Sequence, residues 1–379
     1  MSSTNGNEVA GPIRLVYLRF LKNKPAVFSL VLVFLALVVA VFSYVFTPDD
    51  SVYCNRMHLS CSLQSPGTTI QFLKMPSVTD AGSNGSSWMW IFTGKEEVRE
   101  EIPVHSWRLV DGELRFFRFS GDPFSPGDSG SIPVKLFEAS RQPISAEDFE
   151  RRFIESRTFW LGTDRFGRDL LSRVLLGTRV SLSVGFIAVL ISLLIGLSLG
   201  LLAGYFRGRV DRIIMWLVNV IWSIPTLLLV VAISLAIGKG FVQVFVAVGL
   251  TMWVEVARMV RGQLFSIREQ PFIEAGRALG YSDLRIILRH VLPNITGPVA
   301  VIAASNFASA ILLEAGLSFL GMGAQPPVPS WGMMIKENYA YIVVDAAWMA
   351  VVPGAAIALL VLCFTLLGNG LRDAFDTRL

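Results

Sequence analysis

The feature that most constrains this chain is a series of apolar runs, each about 20 residues long or longer. A helix rises about 1.5 Å per residue, so about 20 apolar residues cross a hydrocarbon core roughly 30 Å thick. Only 16% of the 379 residues are charged, against about 25% in soluble domains. The chain is therefore predicted to be an all-α polytopic membrane protein. Its six candidate spans are residues 26–47, about 180–205, about 213–237, about 241–257, 295–320 and 346–367.

The first run is predicted to remain as a membrane anchor. It has 22 residues, more than the roughly 7–15 of a signal peptide, and no A-x-A-like site follows it. Lys and Arg are concentrated before this run, after the second run, in residues 258–293 and in the C-terminal tail. The alternate short loops hold one each, Lys239 and Lys336. Cytoplasmic loops carry the excess of basic residues, so both termini are predicted to be cytoplasmic.

These spans divide the chain into four predicted parts. A cytoplasmic segment (1–25) precedes transmembrane helix 1 (26–47), and a mixed extracytoplasmic insert (48–165, "the insert") follows it. The five remaining helices form a core (166–379) with a cytoplasmic coupling loop at 258–293. Within the insert, "SWRLVDGELRFFRF" predicts a hairpin that turns at Asp111-Gly112.

Two cysteines of the insert, Cys54 and Cys61, are separated by six residues. A disulfide between them is plausible in an oxidising compartment. A metal pair with His58 is the weaker alternative, since one His and two Cys give little spacing information. We therefore predict no metal site.

The insert ends in an amphipathic stretch, "WLGTDRFGRDLLSRVLLGTRVSL". Thr163 or Asp164 is predicted to cap a helix that begins near Gly167. One face holds Leu170, Leu171, Val174 and Leu175, and the other holds Arg168, Asp169, Ser172 and Arg173. Such a helix lies either on a membrane surface or against its own domain.

The coupling loop contains "PFIEAGRALGYSDLRIILRHVLPN", which predicts two short helices at an angle. Pro271 suits a first helical turn, and Gly280 suits a left-handed residue that ends the helix. Ser282 can cap the second helix, and Pro293 precludes its smooth continuation. The second helix carries an apolar side made of Leu284, Ile287, Leu288 and Val291. Helices this short and charged predict a docking surface.

The spacing of Glu274-Ala275-Gly276, Gly280 and Leu292-Pro293 resembles the "EAA" loop of integral-membrane permease subunits of bacterial ABC importers. Gly276 in place of a second alanine and His290 in place of isoleucine depart from that pattern. Three further segments resemble the C-type permease of oligopeptide and dipeptide (peptide/nickel-type) importers: "LGTDRFGRDLLSRVLLGTRVSL", "EAGLSFLGMGAQPPVPSWGMMI" and "LRDAFDTRL".

This resemblance implies a type I ABC importer permease fold in the bacterial cytoplasmic membrane. It implies a second, B-type permease subunit, two cytoplasmic ATPase subunits or domains that bind ATP-Mg, and an extracytoplasmic substrate-binding protein. Glu274 would contact the ATPase, and Ala275 and Gly276 would permit close approach. The further residues of this ATPase-coupling set are Arg277, Gly280, Tyr281, Leu292 and Pro293. The chain has no G-x-x-x-x-G-K-[ST] of its own, so it is expected to hold no cofactor and not to be an enzyme.

Inside the membrane, four residues are candidates for the pathway or a gate: Asn219, Trp222, Pro225 and Glu314. Pro225 should kink the third span. Glu314 either contacts a substrate amino group or makes a packing hydrogen bond. Glu255 is expected to pair with Arg258. Small residues recur every four positions at Ser192, Gly196, Gly200 and Gly204 and predict close helix packing.

The function that these observations favour is half of an ATP-driven translocation pathway for peptides. The alternatives are the same role for nickel complexes or other small solutes, and a secondary transporter driven by an ion gradient. The second alternative often shows inverted repeats, and we see no internal repeat. No nucleic-acid partner is expected.

Overall fold

The computed structural model describes residues 12–76, 88–95, 100–122, 124–137, 145–238 and 240–376. Lys239, used in the topology prediction, lies outside them. Within these ranges the α-helices are α1 (Pro12–Lys22), α2 (Lys24–Val41), α3 (Ser43–Phe46), α4 (Trp90–Thr93), α5 (Ala146–Phe153), α6 (Leu170–Phe206), α7 (Gly208–Trp222), α8 (Thr226–Ile237), α9 (Phe241–Ile267), α10 (Pro271–Ala278), α11 (Asp283–Ile286), α12 (Thr296–Phe319), α13 (Trp331–Asn338) and α14 (Trp348–Phe375). The strands are β1 (Thr68–Lys74), β2 (Glu101–Val110), β3 (Glu113–Phe119), β4 (Pro126–Pro133) and β5 (Ile154–Phe159).

The described chain forms two compact units. The first comprises the described residues within 1–37, 181–325 and 355–379, and the second comprises those within 38–180 and 326–354. Five helices of the described residues are long and apolar enough to cross a membrane, and α7 with α8 makes a sixth if the bent pair counts as one span. Several spans differ in extent from the prediction. Span two begins at Leu170, and α9 continues to Ile267, which moves the first ten residues of the predicted loop 258–293 into a helix.

The third span is broken at the predicted proline. Helices α7 and α8 meet at an angle of 92° around Ser223–Pro225. Proline lacks a backbone N–H and its ring clashes with the preceding turn, so the α-helical hydrogen-bond ladder stops here. The predicted kink is thus a complete break.

Small residues on α6 allow α9 to approach closely in the first unit. A side chain at Gly196 would meet Val256, one at Gly200 would meet the Ala257 carbonyl oxygen, and one at Gly204 would meet Leu264. All of these distances are under 3.0 Å. The small-residue face therefore packs within the chain.

In the second unit, the insert contains a five-stranded antiparallel sheet in the order β4-β3-β2-β1-β5. The predicted hairpin joins β2 to β3, and Val110 pairs with Glu113 across the turn. Asp111 and Gly112 both have positive φ angles, 53° and 76°, which a two-residue type I′ turn requires. A core of Leu73, Val104, Leu114, Phe116, Val134, Phe137 and Phe149 lies against the sheet.

The structure has Cys54 and Cys61 as free thiols and not as the predicted disulfide. Each sulfur lies in a different cluster. Cys54 packs with Tyr44 and Leu176 and donates to the Asp49 carbonyl oxygen at 3.1 Å, whereas Cys61 packs among the apolar side chains of β1, β3 and β5. Burial raises the pKa of both thiols, that of Cys61 to about 12. Among the described residues, no three His, Cys, Asp or Glu side chains are arranged to hold a metal ion.

Charged side chains cluster around Glu101 at the start of β2. Its carboxylate lies 3.3 Å from the Arg157 guanidinium, 3.5 Å from Arg56 and 3.7 Å from His58 Nε2. Burial alone would raise the pKa of Glu101. The interactions with His58, Arg157 and Arg56 outweigh burial and hold the pKa at about 2.

This cluster predicts a loss of insert stability in acid. The folded pKa of Glu101 lies below its usual value of 4.5, so its contribution is complete above pH 4.5 and is lost as the pH falls towards 2. We expect Glu101→Gln to lower the free energy of unfolding of the insert by about 2–3 kcal/mol at pH 7 and to leave it unchanged near pH 2. Hydrogen exchange of β1 and β2 in the intact protein measures this. Equal pH dependence in the wild type and the variant would contradict the prediction.

A second charged cluster surrounds Arg168, which is 1% exposed. Its guanidinium donates to Asp164 at 2.6 Å, to Glu337 at 2.9 Å and to Asn55 at 3.3 Å. Arg173 lies 4.0 Å from Glu337. The network thus joins three parts of the second unit that are distant in sequence: the start of the insert, the stretch before α6, and α13.

The amphipathic stretch before span two differs from its prediction in two ways. It is not a separate helix, because α6 runs without interruption from Leu170. Its polar side is the buried one: Arg168, Asp169, Ser172 and Arg173 are all at most 4% exposed. Asp169, rather than Thr163 or Asp164, caps α6 by accepting from the Ser172 N–H at 2.9 Å. Thr163 and Asp164 instead accept hydrogen bonds from Gln64 and Arg168.

Candidate coupling surface and translocation cavity

The first helix of the coupling loop, α10, is followed by Gly280 in the left-handed conformation that the sequence predicts. In α10, the N–H of Gly280 donates to the Arg277 carbonyl at 2.9 Å, and the N–H of Tyr281 donates to the Gly276 carbonyl at 3.0 Å. This is the Schellman pair of bonds, and Gly280 has the left-handed φ of 73° that it needs. Ser282 then caps α11 by accepting from the Arg285 N–H at 3.4 Å.

The second helix continues further than predicted. After α11 the chain makes a π-helical turn, Ile287–Val291, and a 3-10 turn, Leu292–Ile295, before α12 begins. Pro293 therefore interrupts the regular helix without ending the helical path. The buried side is also different from the prediction: Ile286, Ile287 and Val291 are buried, whereas Leu284 and Leu288 are 66% and 53% exposed.

Aromatic and charged contacts hold this loop against the end of α6. Tyr205 of α6 donates to the Asp283 carboxylate at 2.6 Å, and Arg268 donates to the Tyr205 carbonyl at 2.5 Å. The Arg285 guanidinium lies 4.1 Å from the centre of the Tyr281 ring, which stacks on His290. The two short helices therefore have a fixed position on the first unit.

The predicted coupling residues fall into two groups. Gly276 is buried, and Tyr281 and Leu292 are half-buried, so they pack within the loop. An alanine Cβ at Gly276 would meet Tyr281 at 3.5 Å and Ile286 at 3.8 Å, so the departure from the EAA pattern is sterically neutral. The exposed members are Glu274, Ala275, Arg277, Gly280 and Pro293.

Four large apolar side chains are exposed beside them: Phe272, Leu279, Leu284 and Leu288, at 41%, 70%, 66% and 53%. We call these four residues and Glu274 the loop surface. The sequence pattern placed Leu284 and Leu288 on the packed side, because in a regular helix they share a face with Ile287 and Val291. The π turn changes the helical register from Ile287 onward, and nothing in the pattern signals a π turn.

Helices α1 and α14 come together in the first unit, next to the start of α12. Asn23 donates to the Asp373 carboxylate at 3.2 Å, and Arg19 donates to the Asp376 carbonyl at 2.7 Å. A side chain at Gly297, just after the loop, would meet Phe375 at 2.7 Å. The described part of the N-terminal basic segment and the end of α14 therefore lie beside the residues that follow the loop.

A cavity of about 310 Å³ opens beside the break between α7 and α8. Its walls come from α7, α8, α9 and α12, and its lining includes Trp222, Thr226, Thr251, Glu255 and Ser309. Of the predicted pathway residues, Trp222 lines this cavity, and Asn219 and Pro225 are exposed next to it. Glu314 lies elsewhere: it is 1% exposed and accepts a hydrogen bond from Ser318 at 2.6 Å.

Glu255 is the residue whose role the sequence reasoning missed. The expected ion pair with Arg258 is absent from the described ion pairs, because the Arg258 guanidinium instead stacks 3.6 Å from the centre of the Trp222 ring. Glu255 is exposed at the cavity. A carboxylate near the middle of an apolar helix was the available signal.

Comparison with known proteins gives two family matches. Residues 196–379 match the family described as "Binding-protein-dependent transport system inner membrane component". Residues 11–66 match the "N-terminal TM domain of oligopeptide transport permease C". Neither match includes residues 67–195, which contain most of the insert.

Individual relatives agree with these families. The chain is 44% identical over 252 residues to the glutathione transport system permease protein GsiD of Pectobacterium atrosepticum, covering 65% of this chain and 83% of the relative. The GsiD protein of Escherichia coli is 45% identical with the same coverage. Among solved structures, the inward-facing methionine ABC transporter MetNI matches with a TM-score of 0.47 and 21% identity, over 55% of this chain and 98% of that one.

These relatives are permease proteins, so the prediction of a transport component rather than an enzyme is confirmed. The interpretation as a permease subunit of an ABC importer for peptides is confirmed over the alternative of a secondary transporter. The predicted all-α membrane fold of an ABC importer permease is confirmed as well. The protein is a multi-pass inner-membrane protein. The chain belongs to the inner-membrane permease components of binding-protein-dependent transport systems, and within them to the C-type peptide permeases of ABC importers.

Proposed function

We propose that this chain forms half of a peptide translocation pathway and receives mechanical work from separate ATPase subunits through its loop surface. The observation that carries the proposal is the combination of fixed position and exposure in α10 and α11. Tyr205, Arg268 and Asp283 anchor these helices, while Leu279 and Leu284 remain 70% and 66% exposed. Exposed apolar side chains rimmed by charges are typical of a protein interface.

The partners follow from the family and the geometry together. Two cytoplasmic ATPase subunits would bind ATP-Mg, and one of them would contact the loop surface of this chain. A second permease, of the B type, would complete the pathway beside the broken third span. A substrate-binding protein would deliver cargo on the opposite side of the membrane.

The orientation of the chain in the membrane is part of the same proposal. The end of α1 and the end of α14 lie next to the start of α12, which follows the loop, and the sequence concentrates Lys and Arg in the segments next to these helix ends. The positive-inside rule puts those ends in the cytoplasm. The insert would then lie on the extracytoplasmic side.

Short peptides are the proposed cargo. The two relatives described above are named for glutathione transport, and glutathione is a tripeptide. Uptake of labelled glutathione, dipeptides, tripeptides and longer peptides, compared between cells with and without this gene, defines the length that is carried. Nickel complexes belong in the same assay as the competing cargo.

Glu274→Arg tests the coupling. Glu274 is exposed in the first turn of α10 and has no described hydrogen bond or ion pair within the chain, so the variant should fold. We expect it to lose ATPase co-purification and at least about tenfold of peptide uptake, as for a reversed charge in an interface. Glu269→Arg, another exposed carboxylate near the loop, is the matched control. Retained ATPase binding with intact uptake in Glu274→Arg would refute the proposal.

A further inference from the structure

The cavity beside the broken third span carries a single charge at the depth of the membrane. Glu255 lies 14 residues after the first residue of α9 and 12 before the last, inside the candidate membrane span Val242–Ile267. An ionisable side chain at this depth costs several kcal/mol unless it faces a partner or water. In the described residues, no cationic side chain lies within 4 Å of the Glu255 carboxylate, since Arg258 is turned to Trp222.

Polar groups continue from Glu255 across the cavity. Ser309 and Thr226, on α12 and α8, are exposed there, and Ser305 is exposed one turn before Ser309 on α12. These hydroxyl groups can bind water that enters the cavity. Leu312, Leu313 and Met252 complete an apolar wall. The cavity therefore has one charged end and an apolar side.

The described side chains that line this cavity carry one charge, which is negative, and the Arg258 guanidinium lies against the lining residue Trp222, 3.6 Å from the centre of its ring. Among the residues that the structure describes as lining it, Glu255 is the sole charged one. The ends of α7 and α8 meet at the break, so the partial negative charge of one helix end and the partial positive charge of the other offset each other. Its preferred ligand is accordingly a cation with an apolar neighbour.

From these observations we infer that Glu255 forms a subsite on the translocation path that receives a primary ammonium group of the cargo. This inference rests on the proposed transport function. A peptide has such a group at its N-terminus, and a lysine side chain supplies the same chemistry. The Thr251, Thr226 and Ser309 hydroxyl groups can accept hydrogen bonds from the same ammonium, and the apolar wall can receive a side chain.

Cysteine labelling at Ser309 tests the inference in the complete importer, assembled from this chain and its co-expressed partner subunits in proteoliposomes. Cationic and anionic methanethiosulfonate reagents of matched size are compared on Ser309→Cys. We expect the cationic reagent to react about tenfold faster, as for attraction to one nearby carboxylate. Ser309→Cys combined with Glu255→Gln should lose this preference. Ser198→Cys, on α6 and outside the cavity lining, is the control and should show no preference for the cationic reagent.

Cargo protection identifies the ammonium group. A tripeptide with a free N-terminus, its N-acetylated form, and an N-acetylated form containing lysine are added during turnover. Slower labelling by the first or the third peptide, but not by the second, supports the subsite and shows which ammonium group is recognised. Equal protection by all three peptides, or by none, overturns it.

Three labelling results also overturn the inference: equal rates for both reagents, a preference that survives Glu255→Gln, and no labelling of Ser309→Cys. The last would mean that a partner subunit covers the cavity. ATP-driven peptide uptake by the wild-type importer is measured in the same vesicles. Absent uptake with an intact charge preference refutes the transport function and leaves only a cation-attracting cavity, whereas normal uptake without any preference refutes the subsite alone.

Discussion

Arg168→Met is expected to unfold the second unit locally and to lower its free energy of unfolding by about 3–5 kcal/mol, as when one partner of a buried ion pair is removed. The side chain is 1% exposed and donates to Asp164, Glu337 and Asn55. Methionine fills a similar volume but leaves the carboxylates of Asp164 and Glu337 without the guanidinium that pairs with both. Arg173 is too far away, at 3.9–4.0 Å, to replace both bonds.

Thermal unfolding of the purified protein and limited proteolysis of the insert measure this cost. Arg165→Met is the matched control, because Arg165 is exposed in the same stretch and stacks only on Phe166. Combining Arg168→Met with Glu337→Gln should cost less than the sum of the two single changes, since they share one interaction. Additive costs, or a loss below about 1 kcal/mol, would show that the network contributes little.

This network also shows what the sequence could and could not predict. The stretch "LGTDRFGRDLLSRVLLGTRVSL" and the segment containing Trp331 were recognisable as family segments. In the structure these two segments contact each other. Glu337 pairs with Arg168, and Trp331 Nε1 donates to the Val174 carbonyl at 2.9 Å. A pattern of charge along one helix cannot name a partner that lies 169 positions away. For that reason the sequence left open whether this stretch lies on a membrane surface or against its own domain.

Local signals predicted local structure well. Gly280, Ser282 and Asp111-Gly112 adopt the turn and cap conformations expected of them, because each depends on the backbone of a few adjacent residues. Pro225 marked the broken span for the same reason. The disulfide, the Glu255–Arg258 pair and the exposed Leu284 depended on tertiary packing or a π turn. Sequence spacing holds no information on either.

The four-residue spacing of small residues on α6 correctly predicted close packing, which the structure shows against α9. Gly200→Leu should therefore have the second large effect on stability. A Cβ at Gly200 would lie 2.8 Å from the Ala257 carbonyl oxygen and 2.8 Å from Val260 Cβ. Backbone cannot give way as a flexible side chain can, so the two helices must separate. Overpacking of this kind costs about 1–3 kcal/mol or more, and the lost contacts of Gly196 and Gly204 would add to it.

Gly262→Leu on α9 is the control, because nothing lies within 4 Å of a Cβ at that position. Leucine is favoured over glycine in a helix by up to about 1 kcal/mol at either site, so the difference between the variants isolates the clash. We expect thermal unfolding of the full-length protein to begin at a lower temperature in Gly200→Leu than in Gly262→Leu. Since α9 carries Glu255 and leads into α10, peptide uptake should fall in Gly200→Leu even where folded protein reaches the membrane. Equal stability of the two variants would mean that α6 and α9 do not pack at this distance.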